Sequence, residues 1–265
     1  MQIDRQKALG AFSAYVKDYD IEDPKVKLKI EHTYRVAGFC QGIAGSLGLS
    51  REDTDLAWFC GLLHDVGRFE QLRNYGTFID AESIDHAMYG AEILFGQGRI
   101  RDYAEDGSED GLLRKVVSCH SAYRVPEEYD KRTKMFADIL RDADKVDILR
   151  VNVETPLEEI YNVPTEVLRS EAVTPQVLQA FQEGHAVLRA LKRTAVDNVV
   201  GHISLVFELV FPASLQMVEE QGYLGRLMDF PSDNPETEKD FAAIRRQMAK
   251  YMCNIKDRLP KQRLL

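Results

Sequence analysis

Four of the six histidines fall on apolar helical stripes, one stripe each, and that pattern restricts both how the chain folds and what it does. Leu28, His32, Val36, Phe39 and Ile43 recur at helical spacing. Leu56, Phe59, Cys60 and Leu63 lead into the pair His64-Asp65, while His86-Gly90-Ile93 and Leu113-Val116-Val117-His120 repeat the arrangement. Such spacing turns four imidazoles into a core from four separate helices. A buried polar group without a partner costs roughly 1–3 kcal/mol. One histidine on an apolar face is ordinarily a hydrogen-bonded core residue. Four of them, joined by inward carboxylates, are satisfied together by a shared divalent metal.

The periodicity is helical almost throughout, which predicts an all-α protein. Asp23-Pro24 reads as an N-cap with proline at the first helical position, opening a helix to about Leu47 with Gly48 beyond it. Ser50 caps a second helix, with Asp53 in the capping-box position and Gly67 as its stop, so His64-Asp65 fall in its last turn. The stretch Arg68–Asp80 reads as a loop, a pocket wall or lid. Helices follow around Ile84–Phe95, Leu112–His120 and Lys131–Arg150, with Arg101–Gly111 an exposed loop. Beyond Arg150, Pro156, Pro164 and Pro175 break the chain; helical patterning resumes at Thr174-Pro175, over Val196–Phe211 and from Glu236. The expected organisation is a single domain over residues 1–265, with a metal-binding core at about 22–150 and a helical C-terminal extension at about 151–265.

Imidazole and carboxylate donors suit Fe, Mn, Zn, Co or Ni rather than Ca²⁺ or Mg²⁺, which prefer oxygen shells. Six ligands exceed one tetrahedral site and fit two ions bridged by a carboxylate, for which Asp65 is the natural candidate. Adjacent helical residues diverge by about 100°, so His64 and Asp65 reach neighbouring ions rather than chelating one. The last carboxylate is open on spacing alone. Asp142 shares a face with Met135, Ile139, Val146 and Leu149, and Asp144 shares one with Ala137, Leu140, Ile148 and Val151. His185, after Gly184, reads as a surface or cap residue, and His202 as structural ahead of the alternative that it lines the pocket.

His32 in "EHTYRVA", His64-Asp65 in "GLLHDVGRF" and Asp144 in "DADKVD" together resemble the H…HD…D signature of the HD-domain superfamily, a helical fold of metal-dependent phosphohydrolases. The resemblance covers roughly residues 26–150. It implies an HD-domain helical bundle, with Asp144 as the ligand and Asp142 behind it. His86 in "HAMYGAEIL" and His120 are similar to the additional histidines of two-metal members, including the HD-GYP cyclic-dinucleotide phosphodiesterases. Arg68 stands where those enzymes carry a lysine, and no Gly-Tyr-Pro follows the second histidine set, which argues against cyclic-dinucleotide hydrolysis. The same six ligands also resemble the HD-type di-iron oxygenases, such as myo-inositol oxygenase.

The resulting expectation is a phosphohydrolase that cleaves a phosphate ester of a small, nucleotide-like molecule with a metal-activated water. His32, His64, Asp65, His86, His120 and Asp144 would hold two divalent transition-metal ions. Asp65, Arg68 and Lys145 would serve catalysis, with Arg68 and Lys145 gripping the anionic phosphorylated substrate. A di-iron oxygenase is the rival, and a non-catalytic sensor of metal or nucleotide is the third reading. The complete ligand set argues against the sensor. A net charge of −9 without a basic stripe disfavours a nucleic-acid polymer as partner. Apolar runs far short of a membrane span and four cysteines without a CxxC pair point to a cytoplasmic protein with free thiols. A homo-oligomer is compatible with this composition.

Overall fold

The computed structural model describes residues 1–258, so residues 259–265 of the expected extension lie outside the described residues. Helices dominate and no strand occurs among the described residues. Two compact units are distinguished, Met1–Asp144 and Lys145–Leu265.

In the first unit the helices are α1 (Arg5–Val16), α2 (Pro24–Ser46), α3 (Arg51–Leu63), α4 (Val66–Tyr75), α5 (His86–Ala91), α6 (Ile100–Tyr103), α7 (Asp110–Cys119) and the start of α8 (Lys131–Glu154). Side-chain caps define several starts. Asp23 accepts from Lys25 N at 2.7 Å ahead of Pro24, and Ser50 Oγ accepts from Asp53 N at 3.1 Å. Asp85 caps α5 through the amides of Ala87 and Met88, and Asp130 caps α8 through those of Arg132 and Thr133. The apolar stripes of α2 and α3 face each other, and Gly61 makes their crossing close: a Cβ built there would sit 2.6 Å from Ala37 Cα.

Several segments differ from the sequence reading: α3 ends at Leu63 and Gly67, expected as its stop, lies inside α4, while the expected loop at Arg101–Gly111 begins inside α6. The expected loop at Arg68–Asp80 is instead helix α4 as far as Tyr75, closed by Gly76 at φ 69°. Few of its positions are apolar, which hid its periodicity. Phe69 anchors it among the rings of Phe12, Tyr15 and Tyr19. Those three rings come from α1 and the turn after it, a segment outside the expected core. Helix α1 packs on α3 and α6 through Ala8, Phe12, Tyr15 and Val16, spaced as one helical face. The helix expected near Ile84–Phe95 is α5 followed by a π turn over Glu92–Gly96.

In the second unit α9 (Leu157–Tyr161), α10 (Thr165–Ser170), α11 (Pro175–Gln182), α12 (Val196–Ser204), α13 (Pro212–Gln221), α14 (Tyr223–Met228) and α15 (Pro235–Arg258) follow the remainder of α8. The single helix read over Val196–Phe211 divides into α12 and a 3-10 turn, Leu205–Glu208. Buried Asp197 joins the start of α11 to that of α12, accepting from Thr174 N, Arg193 N and Thr194 N at 2.8, 2.7 and 3.0 Å. No described helix is long and apolar enough to cross a membrane.

Candidate metal centre

His32 lies in the middle of α2, His64 caps the C-terminus of α3, and Asp65 caps the N-terminus of α4. The chain therefore turns between two helices at the His-Asp pair, and the turn corrects the expectation that the two residues reach separate ions, because it brings Asp65 Oδ2 to 3.5 Å from His64 Nε2. His86 opens α5, His120 caps the C-terminus of α7, and Asp144 rides on α8. Gly67 lets α4 approach α5 at backbone distance, because a Cβ there would lie 2.2 Å from His86 O and 2.6 Å from Gly90 N. That approach carries His86 to Asp65. Buried Arg141, one turn before Asp144, donates to the carbonyls of His120 and Tyr123 at 3.2 and 3.1 Å and to that of Ala122. It thereby ties α8 to the end of α7.

All six expected ligands gather in the first unit. Asp144 Oδ1 lies 3.2 Å from His32 Nε2 and 3.9 Å from His64 Nε2. Those two imidazole nitrogens are 3.2 Å apart. Asp65 Oδ2 completes the group at 3.6 and 3.5 Å from them. Its other oxygen, Oδ1, lies 3.6 Å from His86 Nε2 and 3.7 Å from His120 Nε2, which are 3.1 Å apart. One carboxylate thus faces two half-sites, one oxygen to each.

Hydrogen bonding behind the rings determines what the rings present. His64 Nδ1 donates to Gly61 O, and His120 Nδ1 donates to Val117 O, both at 2.7 Å. His86 Nδ1 donates to Asp80 Oδ2 at 2.7 Å. Neutral rings held this way carry bare lone pairs on Nε2. The Nε2 atoms of His86 and His120 face each other at 3.1 Å. A proton is a poor remedy, since burial pushes the His64 pKa down and that of His86 to about 4. A metal ion fits. Bonds of about 2.1 Å in a tetrahedral shell separate donor atoms by about 3.4 Å, within the span observed.

The carboxylates are held as anions. Burial opposes ionisation of Asp65, but the charge of Lys29 leads the opposing effects and its pKa lies well below the usual range. Burial likewise opposes ionisation of Asp144, and hydrogen bonding and charge from His32 reverse it. Lys29 Nζ lies 2.7 Å from Asp65 Oδ2. It sits three residues before His32 on α2, a spacing that could have marked it on the sequence.

Arg68 lies beside the cluster with Nε 3.7 Å from Asp65 Oδ1. Its Nη1 donates to Gln71 Oε1, Phe78 O and Asp80 Oδ1 at 2.8, 2.7 and 2.8 Å, whereas buried Nε has no hydrogen-bond partner. Asp80 and Gln71 escaped the sequence reading because the segment looked like a loop. Asp80, Asp85 and His86 also lie close enough to form a cation group, yet His86 Nδ1 and Arg68 already occupy Asp80 and Asp85 caps α5. Lys145 follows Asp144 on α8 and is half-buried, and Asp142 is fully buried. His185 pairs with Glu183 at 3.0 Å at the surface, and His202 Nδ1 lies 3.3 Å from Tyr161 Oη in the second unit.

The sequence profile of the HD domain family matches residues 30–149, a span containing all six gathered residues. The 3'3'-cGAMP-specific phosphodiesterase 1 of Vibrio cholerae serotype O1 is 27% identical over 100 residues, which are 34% of this chain and 23% of that protein. The match thus spans about a quarter of that relative's length. No solved structure matches the chain significantly. Residues 30–149, which include the paired His64-Asp65, thus carry an HD domain.

Proposed function

We propose that this protein is a metal-dependent phosphohydrolase that cleaves a phosphate ester of a small, nucleotide-like molecule. Two divalent transition-metal ions, from among Fe, Mn, Zn, Co and Ni, are held on either side of Asp65. His32, His64, Asp144 and Asp65 Oδ2 take one, and His86, His120 and Asp65 Oδ1 take the other. The observation that carries the reading is the approach of His86 Nε2 and His120 Nε2 to 3.1 Å, opposite Asp65 Oδ1 at 3.6 and 3.7 Å. Bound there, a metal pair supplies Lewis acidity to a water nucleophile and to phosphoryl oxygens.

The chain's own residues orient the rest. Arg68 is immobilised through Nη1, which leaves its buried Nε as a preset donor for a phosphate oxygen. Lys145, next to Asp144, is proposed as a second cation for the substrate. The HD domain supports the hydrolytic reading, as does a relative whose name describes a phosphodiesterase.

The deciding experiment is a phosphoester panel run without oxygen, on protein reloaded with Mn²⁺ or Co²⁺. Phosphate-ester cleavage is expected to persist, since Lewis acidity requires no redox change. Strict dependence on iron and O₂, with no ester cleaved, would overturn hydrolysis in favour of the oxygenase.

A further inference from the structure

We infer that Asp80, clamped by Arg68 and Gln71, is a positioning residue that fixes His86 and sets how tightly the His86–His120 half-site holds its ion, separately from the other half-site. The inference rests on the two-metal reading above.

Its basis is an asymmetry in how the imidazoles are braced. His64 and His120 each end a helix and lean on a carbonyl three residues earlier in the same turn. His86 is the first residue of α5, so no preceding turn offers it a carbonyl. Its brace comes from Asp80, outside the helix, through Oδ2 at 2.7 Å. The other oxygen of Asp80 accepts from Arg68 Nη1 at 2.8 Å and Gln71 Nε2 at 2.9 Å.

Gln71 is fully buried and also donates to Ser83 Oγ at 2.9 Å and Ile84 O at 3.0 Å, while Arg68 Nη1 donates to Phe78 O. Two side chains of α4 therefore pin the strap at Phe78, Asp80, Ser83 and Ile84, and that strap holds the ring of His86. Since Asp65 immediately precedes the same helix, α4 positions both the bridging carboxylate and the brace. A carboxylate behind an imidazole fixes its tautomer and orientation and strengthens it as a donor. The half-site so braced offers three donor atoms, His86 Nε2, His120 Nε2 and Asp65 Oδ1, against four on the other side. It is the half-site that loses its ion first when a brace is removed.

The test is a titration of Co²⁺ or Mn²⁺ into chelator-stripped full-length protein, followed by calorimetry and the spectrum of the bound ion. Wild type takes up two ions. In Asp80→Ala the tighter ion binds as before and the other is weakened about 10- to 100-fold, the usual effect of losing such a support. Asp80→Asn keeps an acceptor for His86 without the charge and falls between the two, which also serves if the alanine variant folds poorly. Unchanged affinities in both variants would overturn the inference and leave the two-metal reading standing. Equal weakening of both ions in Asp80→Asn, with its melting temperature unaltered, would overturn the claimed selectivity. Wild type that binds fewer than two ions would sink the two-metal reading itself, and this inference with it.

Discussion

Asp65 presents Oδ2 to His32 and His64 and Oδ1 to His86 and His120, all between 3.5 and 3.7 Å. A group shared in this way cannot be altered for one half-site alone. Asp65→Asn removes the charge that compensates both, so both ions should weaken together, each by at least about 1.4 kcal/mol or tenfold. Metal analysis of the purified variant measures this, and retention of either ion at wild-type affinity contradicts a bridging role. His185→Ala is the contrast, since His185 bonds with Glu183 and Ala186 O at the surface and its loss should leave metal content intact. Arg68 shows how a residue can be found on the sequence while its partners are not. Its place after the His-Asp turn was legible, whereas its commitment to Gln71, Phe78 and Asp80 depends on how the strap returns to α4.

Helix-to-helix distances at the centre are controlled by glycines. Gly61 faces the backbone of Ala37, and a Cβ there would lie 2.6 Å from its Cα and 2.8 Å from its N. Backbone cannot yield as a flexible side chain does, so Gly61→Ala forces α2 and α3 apart and separates His32 from His64. A destabilisation of about 1–3 kcal/mol is expected, as for overpacked cores. Gly38 on the same α2 has nothing within 4 Å of its built Cβ. Gly38→Ala should therefore stabilise, by up to about 1 kcal/mol from helix propensity. Denaturant titration of the two variants tests the opposite signs, and equal effects would show that the crossing distance is not limiting. Helices α2, α3 and α8 were legible because their apolar residues recur at helical spacing. Helix α4 was not, since its buried positions include Gly67 and Gln71, which carry no apolar signal.

Across the whole molecule, acid stability follows from histidines buried in neutral form. His202 in the second unit contacts Tyr161 Oη, which donates to Asn152 Oδ1 at 3.1 Å. Burial, with a contribution from the Lys192 charge, lowers its pKa to about 3. The unfolded chain takes up that proton near pH 6.5, whereas the folded chain resists it until about pH 3. The unfolded state thus binds more protons in that window. The stabilising contribution is complete above about pH 6.5 and declines as pH falls towards 3. Between pH 7 and 5 this amounts to about 1–2 kcal/mol. His202→Asn should lose that much less than wild type over the same interval, measured by urea titration in chelator so that metal does not contribute. Parallel losses in the two proteins would remove His202 from the account.

Local periodicity determined that this is an all-helical chain and that His32, His64, His86 and His120 lie on inward faces, because a helical repeat is written in residues three and four apart. It also placed His64-Asp65 at the end of a helix, although the stop expected at Gly67 lies inside α4 instead. Spacing did not choose between Asp142 and Asp144, because α8 is apolar nearly all round, and the family resemblance supplied the choice. Only the folded chain brings Asp144 Oδ1 to 3.2 Å from His32, divides the two oxygens of Asp65 between two pairs of imidazoles, and sets Asp80 behind His86. Each of those relations joins residues on different helices or straps. They depend on how closely backbones cross at Gly61 and Gly67 and on which buried donors need acceptors, neither of which a local pattern records.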